Sequence, residues 1–373
     1  MRYYIIAGEA SGDLHGANLI KNLYEADKDA VINFRSSERM AAVMGFADVA
    51  RKAGTIFRAL SDCKKEILTF SPDVVILIDY PGFNLRIAKW AHNKGLKVFY
   101  YIAPKVWASR EWRIKSLKQY VDRLFIIFPF EKAYFGSKGI PYIYCGNPLV
   151  DAVDASPALA QSHEDFCNAN GLAPGTKVIA MLAGSRLGEV KSMMPLLKDT
   201  AAIMRTKQQF KDWQFIIAGA PGRKEDDYGD YDHTYMKVIF GQTQNIVHAA
   251  EAAVINSGTA SLEAALIGTP QVVAYKISKA AFLFAKHFLV KCKYISLGNL
   301  CLDRLAFREL YDPNKGSAQE CSPEVIAAEL ERLVTDKNYR AAMLDDYAAI
   351  RSSLGAPGAS KAVARTMVEL LKA

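Results

Sequence analysis

No two cysteines of this chain stand in a C-x-x-C or zinc-type spacing. The six, Cys63, Cys145, Cys167, Cys292, Cys301 and Cys321, are scattered. This argues against both a disulfide framework and a structural zinc site, and reduced thiols of a cytosolic protein fit the pattern. No uninterrupted apolar run reaches the ~18 residues of a transmembrane helix. Too little sequence precedes Gly8 and Glu9 for a secretory signal, so a cytoplasmic location is expected. Both common nucleotide fingerprints are also missing: there is no G-x-G-x-x-G after the first strand and no Walker A G-K-[ST]. Acidic residues are the minority charge, 39 against 47 Lys and Arg, a net +8. That balance favours an acidic partner, whether phosphates, nucleic acid or an anionic membrane surface.

What is present is an alternation. At 373 residues, 51% hydrophobic and 23% charged, the chain has material for two soluble α/β domains. Short apolar runs read as strands: 3–7, a second strand near 32–34, 74–78, 97–102 and 124–128. Helical patterns lie between them, with Asn84 as an expected N-cap and Gly95 as a stop. The continuous, β-branched VVILI is the kind of strand that parallel sheets bury on both faces. Around 151–175 the sequence turns polar, then strand–loop–helix restarts at 177–183 and continues through 213–219, 237–240, 252–258 and 271–275. The expectation is an α/β protein of two facing Rossmann-like domains, 1–160 and 170–345, with a C-terminal helix near 350–373 packing back on the first. Ligands would bind at the strand C-terminal ends, in a cleft between the domains.

Four strand-end loops carry the chemistry. In AGEASGDLHG (7–16) the glycines permit a sharp turn, and Ser11 and Asp13 are natural caps for a helix starting near Leu14. Glu9 and His15 are needed for neither task. In IDYPGFN (78–84), Asp79 ends a buried strand, where low polarity can raise a carboxylate toward the range of a general base; bonding the amides of a Pro-Gly turn is the simpler role. AGSRLGEV (183–190) is the more specific anion signal, with small residues at a helix start and Arg186 beside them. In NSGTASLEAAL (256–266) a carboxylate at Glu263 could accept two ribose hydroxyls, or Thr259 could cap the helix and pair with it. DYD (230–232) has a metal-transferase form but lies in a hydrophilic loop, and the run 282–294 mixes apolar residues with lysines, as an anionic membrane surface or a half-buried helix would require.

GEASGDLHGANLI, IDYPGFN, YYIAPKVWA, FPFEKAYF, GNPLVDAV, AGSRLGEV, NSGTASLEAAL and ISLGNL occur in the order in which they stand in the lipid-A-disaccharide synthase family, and the chain resembles that family over nearly its whole length. The resemblance implies an inverting, metal-independent glycosyltransferase of the two-Rossmann (GT-B) type, without a cofactor. Its donor would be UDP-2,3-diacylglucosamine and its acceptor 2,3-diacylglucosamine 1-phosphate, giving a β-1,6 disaccharide 1-phosphate and UDP. It implies a peripheral enzyme on the inner face of the cytoplasmic membrane, with an anionic membrane surface rather than nucleic acid as its further partner; a homodimer is compatible with it. By motif, Asp79, Arg186 and Asn299 would be catalytic. Gly184, Ser185, Arg186 and Gly188 would hold the diphosphate, and Ser257, Gly258, Thr259 and Glu263 the uridine side. Glu9, Ser11, Gly12, Asp13 and His15 would line the acceptor side.

One stretch departs from the family pattern. At 32–46 a Gly-Gly loop and some residues before Met44-Gly45-Phe46 are expected and absent, and Ala47, Ala50 and Ala53 stand where larger apolar residues are expected. Two other activities fit the same frame: a UDP-N-acetylglucosamine epimerase or transferase for soluble sugars, and a nicotinamide-dependent oxidoreductase, the latter without its fingerprint.

Overall fold

A computed structural model of the chain describes residues 1–8, 10–36, 49–256, 258–276 and 293–373, with backbone alone at 10, 11 and 49–55. Glu9, Ser257, the side chain of Ser11, the departure at 37–48 and most of the basic apolar run, 282–292, lie outside the described residues. The chain divides into two compact units, Met1–Asp151 with Leu354–Ala373, and Ala152–Ser353.

The first unit is a six-stranded parallel sheet in the order β2-β1-β3-β4-β5-β6. Its strands are β1 (Arg2–Ala7), β2 (Val31–Arg35), β3 (Val74–Ile78), β4 (Lys97–Tyr101), β5 (Arg123–Ile126) and β6 (Ile143–Tyr144). Every residue of β3 is buried, as its unbroken apolar run requires when helices cover both faces. One core cluster joins Tyr4, Ile6, Val75, Leu77, Val98 and Leu124 of the sheet to Leu60, Ile67, Ile87 and Phe135 of the helices. The C-terminal helix Ala359–Lys372 packs on α1 (Ala10–Ala26), with Lys361 and Glu25 paired at 3.6 Å.

The second unit repeats the plan in the order β12-β11-β10-β7-β8-β9. Its strands are β7 (Val178–Leu182), β8 (Gln214–Gly219), β9 (Met236–Phe240), β10 (Ala252–Ile255), β11 (Gln271–Ala274) and β12 (Glu309–Leu310). The short strands β6 and β12 are too brief and irregular to be read from sequence pattern. The polar stretch after Asp151 is mostly short helix, and Ser162 caps His163–Ala169 by accepting from the Asp165 N–H.

Three helix starts differ from the sequence expectation. The first helix begins at Ala10, not near Leu14, so Ser11 and Asp13 lie inside its first turns rather than ahead of it. Its glycines serve packing rather than turning. A Cβ on Gly12 would stand 3.3 Å from the Ala7 Cβ, and one on Gly16 would meet the Phe34 ring at 2.9 Å. The helix lies so close to β1 and β2 that a methyl at either position would have to push its neighbour aside. α2 (Pro81–Asn93) likewise begins before Asn84, with Pro81 at a first-turn position where its missing N–H costs nothing. Its C-terminus is as expected: Gly95 is left-handed, φ 76°, and the N–H groups of Gly95 and Leu96 close a Schellman motif on His92 and Ala91. The helix Gly258–Ile267 begins before Thr259, which therefore does not cap it.

Candidate active site

Each sheet has one place where strand progression reverses, between β1 and β3 in the first unit and between β7 and β10 in the second. Loops leaving adjacent strands diverge there and leave room for a ligand. The loops singled out in the sequence leave the strands that flank these two points.

In the first unit, Ala7, Ile78 and Tyr101 are register partners. Gly8, Asp79 and Ile102 therefore emerge side by side. The backbone here is strained: Asp79 (φ 43°), Tyr80 (φ 44°) and Ile102 (φ 63°) all occupy the left-handed region, at roughly 1–2 kcal/mol per L-residue. Strain of this kind persists where surrounding structure over-determines it. The Tyr80 ring lies against Gly8, where a Cβ would stand 2.2 Å from it. Gly8 thus lets the first loop pass under the ring of the third. The Asp79 carbonyl accepts from Asn84 Nδ2 at 2.8 Å and from the Tyr100 hydroxyl. Burial drives the Tyr100 phenol well above its ordinary pKa, and the Asp79 charge adds to this. Arg113 also senses Asp79: burial and Arg110 lower its pKa, while Tyr100 and Asp79 raise it.

His15, on the first helix, is pushed down to about 4 by burial, and its Nδ1 has no partner among the described residues. It is therefore neutral at physiological pH, suited to hydrogen bonding rather than to charge pairing. Glu131, almost fully buried, accepts from the N–H groups of Ile127 and Phe128, both at 3.1 Å, and from Trp107 Nε1 at 3.1 Å. Burial pushes its carboxyl up to about 7 against those donors. It ties the loop after β4 to the end of β5, a link that FPFEKAYF and YYIAPKVWA do not reveal separately.

In the second unit, Gly184 has φ 104°, and a Cβ on it would stand 2.7 Å from the Glu189 Cβ and 2.8 Å from its Oε2. Glu189 Oε2 accepts the N–H groups of Ser185 and Arg186, at 3.0 and 3.1 Å, and Oε1 pairs with Arg186 Nη1 at 2.9 Å. Burial raises this carboxyl, but the two N–H donors and the guanidinium outweigh it and hold it below its ordinary pKa. Two donors expected to face a diphosphate are therefore engaged by a carboxylate of the same loop. The Arg186 side chain remains 77% exposed, in reach of a ligand, and Gly188 has open space at its Cα. Asn256 spans the reversal point: its N–H donates to Leu182 O and its Nδ2 to Ala183 O at 3.1 Å. Gly258 opens the next helix, where an added Cβ would come within 4.0 Å of the Tyr275 hydroxyl. Burial raises the Glu263 carboxyl above its ordinary pKa, although Gln244 Nε2 donates to it.

Asn299 is fully buried. Its Nδ2 donates to Phe307 O (3.0 Å) and Glu309 Oε1 (2.9 Å), and its Oδ1 accepts from the N–H groups of Ala306 and Phe307. Glu309 also accepts from the backbone of Ile295 and Ser296. The Tyr275 phenol is raised first by burial and then by Glu309 and Glu189. Asn84, Tyr100, Glu131, Glu189, Asn256 and Glu309 are polar residues of these sites that sequence reasoning missed. Their signal was position: Tyr100, Asn256 and Glu309 stand within one residue of a strand end, and the other three follow a strand by five to seven residues. Asp230 and Asp232 stand in the expected loop, where Asp232 accepts from Thr234. Among the described residues no group of three or more His, Cys, Asp or Glu is placed to hold a metal ion.

Comparison with known proteins bears on both units. The family model described as lipid-A-disaccharide synthetase matches residues 3–361. A lipid-A-disaccharide synthase of Syntrophus aciditrophicus is 35% identical over 99% of this chain and 97% of its own, and one of Trichlorobacter lovleyi is 33% identical over 100% and 98%. Among solved structures, a UDP-GlcNAc 2-epimerase of Neisseria meningitidis bound to UDP-GlcNAc superposes with a TM-score of 0.69 at 14% identity, over 99% of this chain and 100% of its own. The Methanocaldococcus jannaschii epimerase in complex with UDP-GlcNAc and UDP gives 0.65 at 15%, over 100% and 99%. At such identities the structural likeness speaks for the two-domain α/β fold of UDP-sugar enzymes. The full-length sequence match goes further, and by it the chain belongs to the lipid-A-disaccharide synthase family, whose members are glycosyltransferases of lipid A biosynthesis.

Proposed function

We propose that the chain transfers the acylated glucosaminyl group of UDP-2,3-diacylglucosamine to 2,3-diacylglucosamine 1-phosphate with inversion, forming the β-1,6 disaccharide 1-phosphate and UDP. The observation that carries this reading is Asp79, held on strained backbone at the reversal point of the first sheet. Its carboxylate takes the proton of the acceptor's 6-hydroxyl as the oxygen attacks the anomeric carbon. A positioned base of this kind contributes about 10²–10⁴-fold. The bond to UDP breaks in the same displacement, and one carboxylate suffices for a single inversion.

The leaving diphosphate is met by the exposed Arg186 guanidinium and the helix start that follows it, where dipole and N–H groups favour negative charge. Gly184 and Ser185 shape this loop around Glu189, and Gly188 leaves the approach open. Glu263, with 257–259, receives the uridine side. Gly12, Asp13 and His15, with Glu9 and Ser11, form the acceptor side. Asn299 serves catalysis through the loop that it and Glu309 hold. The test is release of UDP from purified protein given both lipid substrates in detergent, expected at a rate that collapses when either lipid is omitted. Equal turnover of unacylated UDP-N-acetylglucosamine would instead favour a soluble-sugar enzyme.

The anionic membrane surface proposed as a partner is supported by one segment of the first unit, residues 105–118. Trp112 is 68% exposed, and Lys105, Arg110, Lys115 and Lys118 around it are exposed too. Basic side chains near an anionic bilayer contribute about 1 kcal/mol each, and Trp favours the interface. No described helix is long and apolar enough to cross a membrane. Trp112→Ser is expected to lower co-sedimentation with phosphatidylglycerol vesicles at least threefold while leaving turnover of detergent-dispersed substrate unchanged. Unaltered sedimentation would remove this segment from the account.

A further inference from the structure

We propose that Asn84 and Tyr100 are positioning residues that fix the aim of the Asp79 carboxylate by clamping its backbone. The proposal rests on reading Asp79 as the base.

The peptide at Asp79 has no ordinary reason to be where it is. Two consecutive non-glycine residues, Asp79 and Tyr80, hold left-handed φ values of 43° and 44° between a strand and a helix. An unrestrained chain would relax to a conformation that L-residues favour, and the side chain of Asp79 would swing with it. Three bonds oppose this. The Asp79 N–H donates to Tyr101 O at 3.2 Å, continuing the sheet. The carbonyl of Asp79 takes two donors, Asn84 Nδ2 and the Tyr100 hydroxyl. Asn84 Nδ2 also reaches Ile78 O at 3.1 Å, so one amide ties the last residue of β3 to the first residue beyond it.

Both clamping side chains are completely buried, and the Oδ1 of Asn84 has no partner among the described residues. A leucine would fill that core position without an unmet acceptor. What the amide adds is control of two consecutive carbonyls. Tyr100 is similar: its ring would pack equally well as phenylalanine, and its hydroxyl donates to the Asp79 carbonyl. The polar atoms of both residues converge on the peptide that carries the proposed base, and a shift of about 1 Å at such a group is enough to lower a rate on the order of 10²-fold.

The experiment compares Tyr100→Phe and Asn84→Ser with wild type, with Tyr101→Phe as control. The control removes a hydroxyl from the next residue of the same strand, one that makes no hydrogen bond to the Asp79 peptide. Both clamp variants are expected to lose 10- to 100-fold in kcat, with the KM for donor and the affinity for UDP within twofold, because nothing in the second unit is touched. Tyr101→Phe is expected to retain wild-type kcat. Should one clamp variant fail to fold, the other carries the comparison. The proposal is overturned if the folded variants keep more than half of wild-type kcat, if UDP affinity falls in step with kcat, or if Tyr101→Phe loses as much. Failure of the underlying reading has a different signature: Asp79→Asn would itself remain active, whatever the clamp variants do.

Discussion

Asp79→Asn is expected to lower kcat by 10²–10⁴-fold while UDP binds within twofold of wild type. The exchange replaces one carboxylate oxygen by an amide nitrogen of the same size, so packing is kept. The Tyr100 hydroxyl and Asn84 Nδ2 donate to the Asp79 carbonyl and the Asp79 N–H donates to Tyr101 O, and these three bonds survive the change. What is lost is the capacity to accept a proton. A positioned general base supplies about 10²–10⁴ in rate, roughly 2.7–5.4 kcal/mol of barrier. Arg113 loses the neighbouring negative charge that favours its protonated form, but burial already acts on it more strongly. UDP release measured at saturating lipid, with calorimetric titration of UDP, separates the two quantities. A variant with wild-type kcat would refute the assignment of Asp79 as the base.

Gly184→Ala is expected to have the largest effect in the second unit, weakening UDP binding at least tenfold and lowering unfolding free energy by about 3 kcal/mol. Two costs add. The backbone at φ 104° lies outside the region open to alanine. In addition, the new methyl would stand at 2.7–2.8 Å from Glu189, so either the loop or the carboxylate must move. If Glu189 moves, the N–H groups of Ser185 and Arg186 lose their acceptor and Arg186 loses its ion pair. Each hydrogen bond to a charged group is worth about 1.5–3 kcal/mol net when buried, and less here, where the loop is exposed. Thermal melts with and without UDP report both effects, and an alanine variant that melts and binds like wild type would show that the loop needs neither the angle nor the space.

The two domains and the four strand-end loops were legible in the sequence because they depend on local pattern. VVILI and VIAML are runs that only a sheet covered on both faces can bury, and the second strand–loop–helix start after a polar stretch marks a second sheet. Gly95 could be read as a helix stop because a left-handed C-terminus favours glycine, which has no Cβ to strain there. Helix starts were less legible. Ser11, Asn84 and Thr259 are all good capping residues, yet each helix begins before them, since Pro81 and the close approach of the first helix to β1 and β2 outweigh local capping preference.

The sequence by itself thus determined every strand except β6 and β12, where the polar loops fall, and the family to which their order points. The tertiary structure decided which of those loops become neighbours. That depends on strand order and register: Gly8, Asp79 and Ile102 are adjacent because β3 pairs with β1 and β4, although they lie far apart in the chain. It also decided what the less conspicuous polar residues do. Asn84, Tyr100, Glu189 and Asn299 carry no motif of their own. Their hydrogen bonds to particular backbone atoms, made where burial leaves few other partners, exist only once the chain has closed around them.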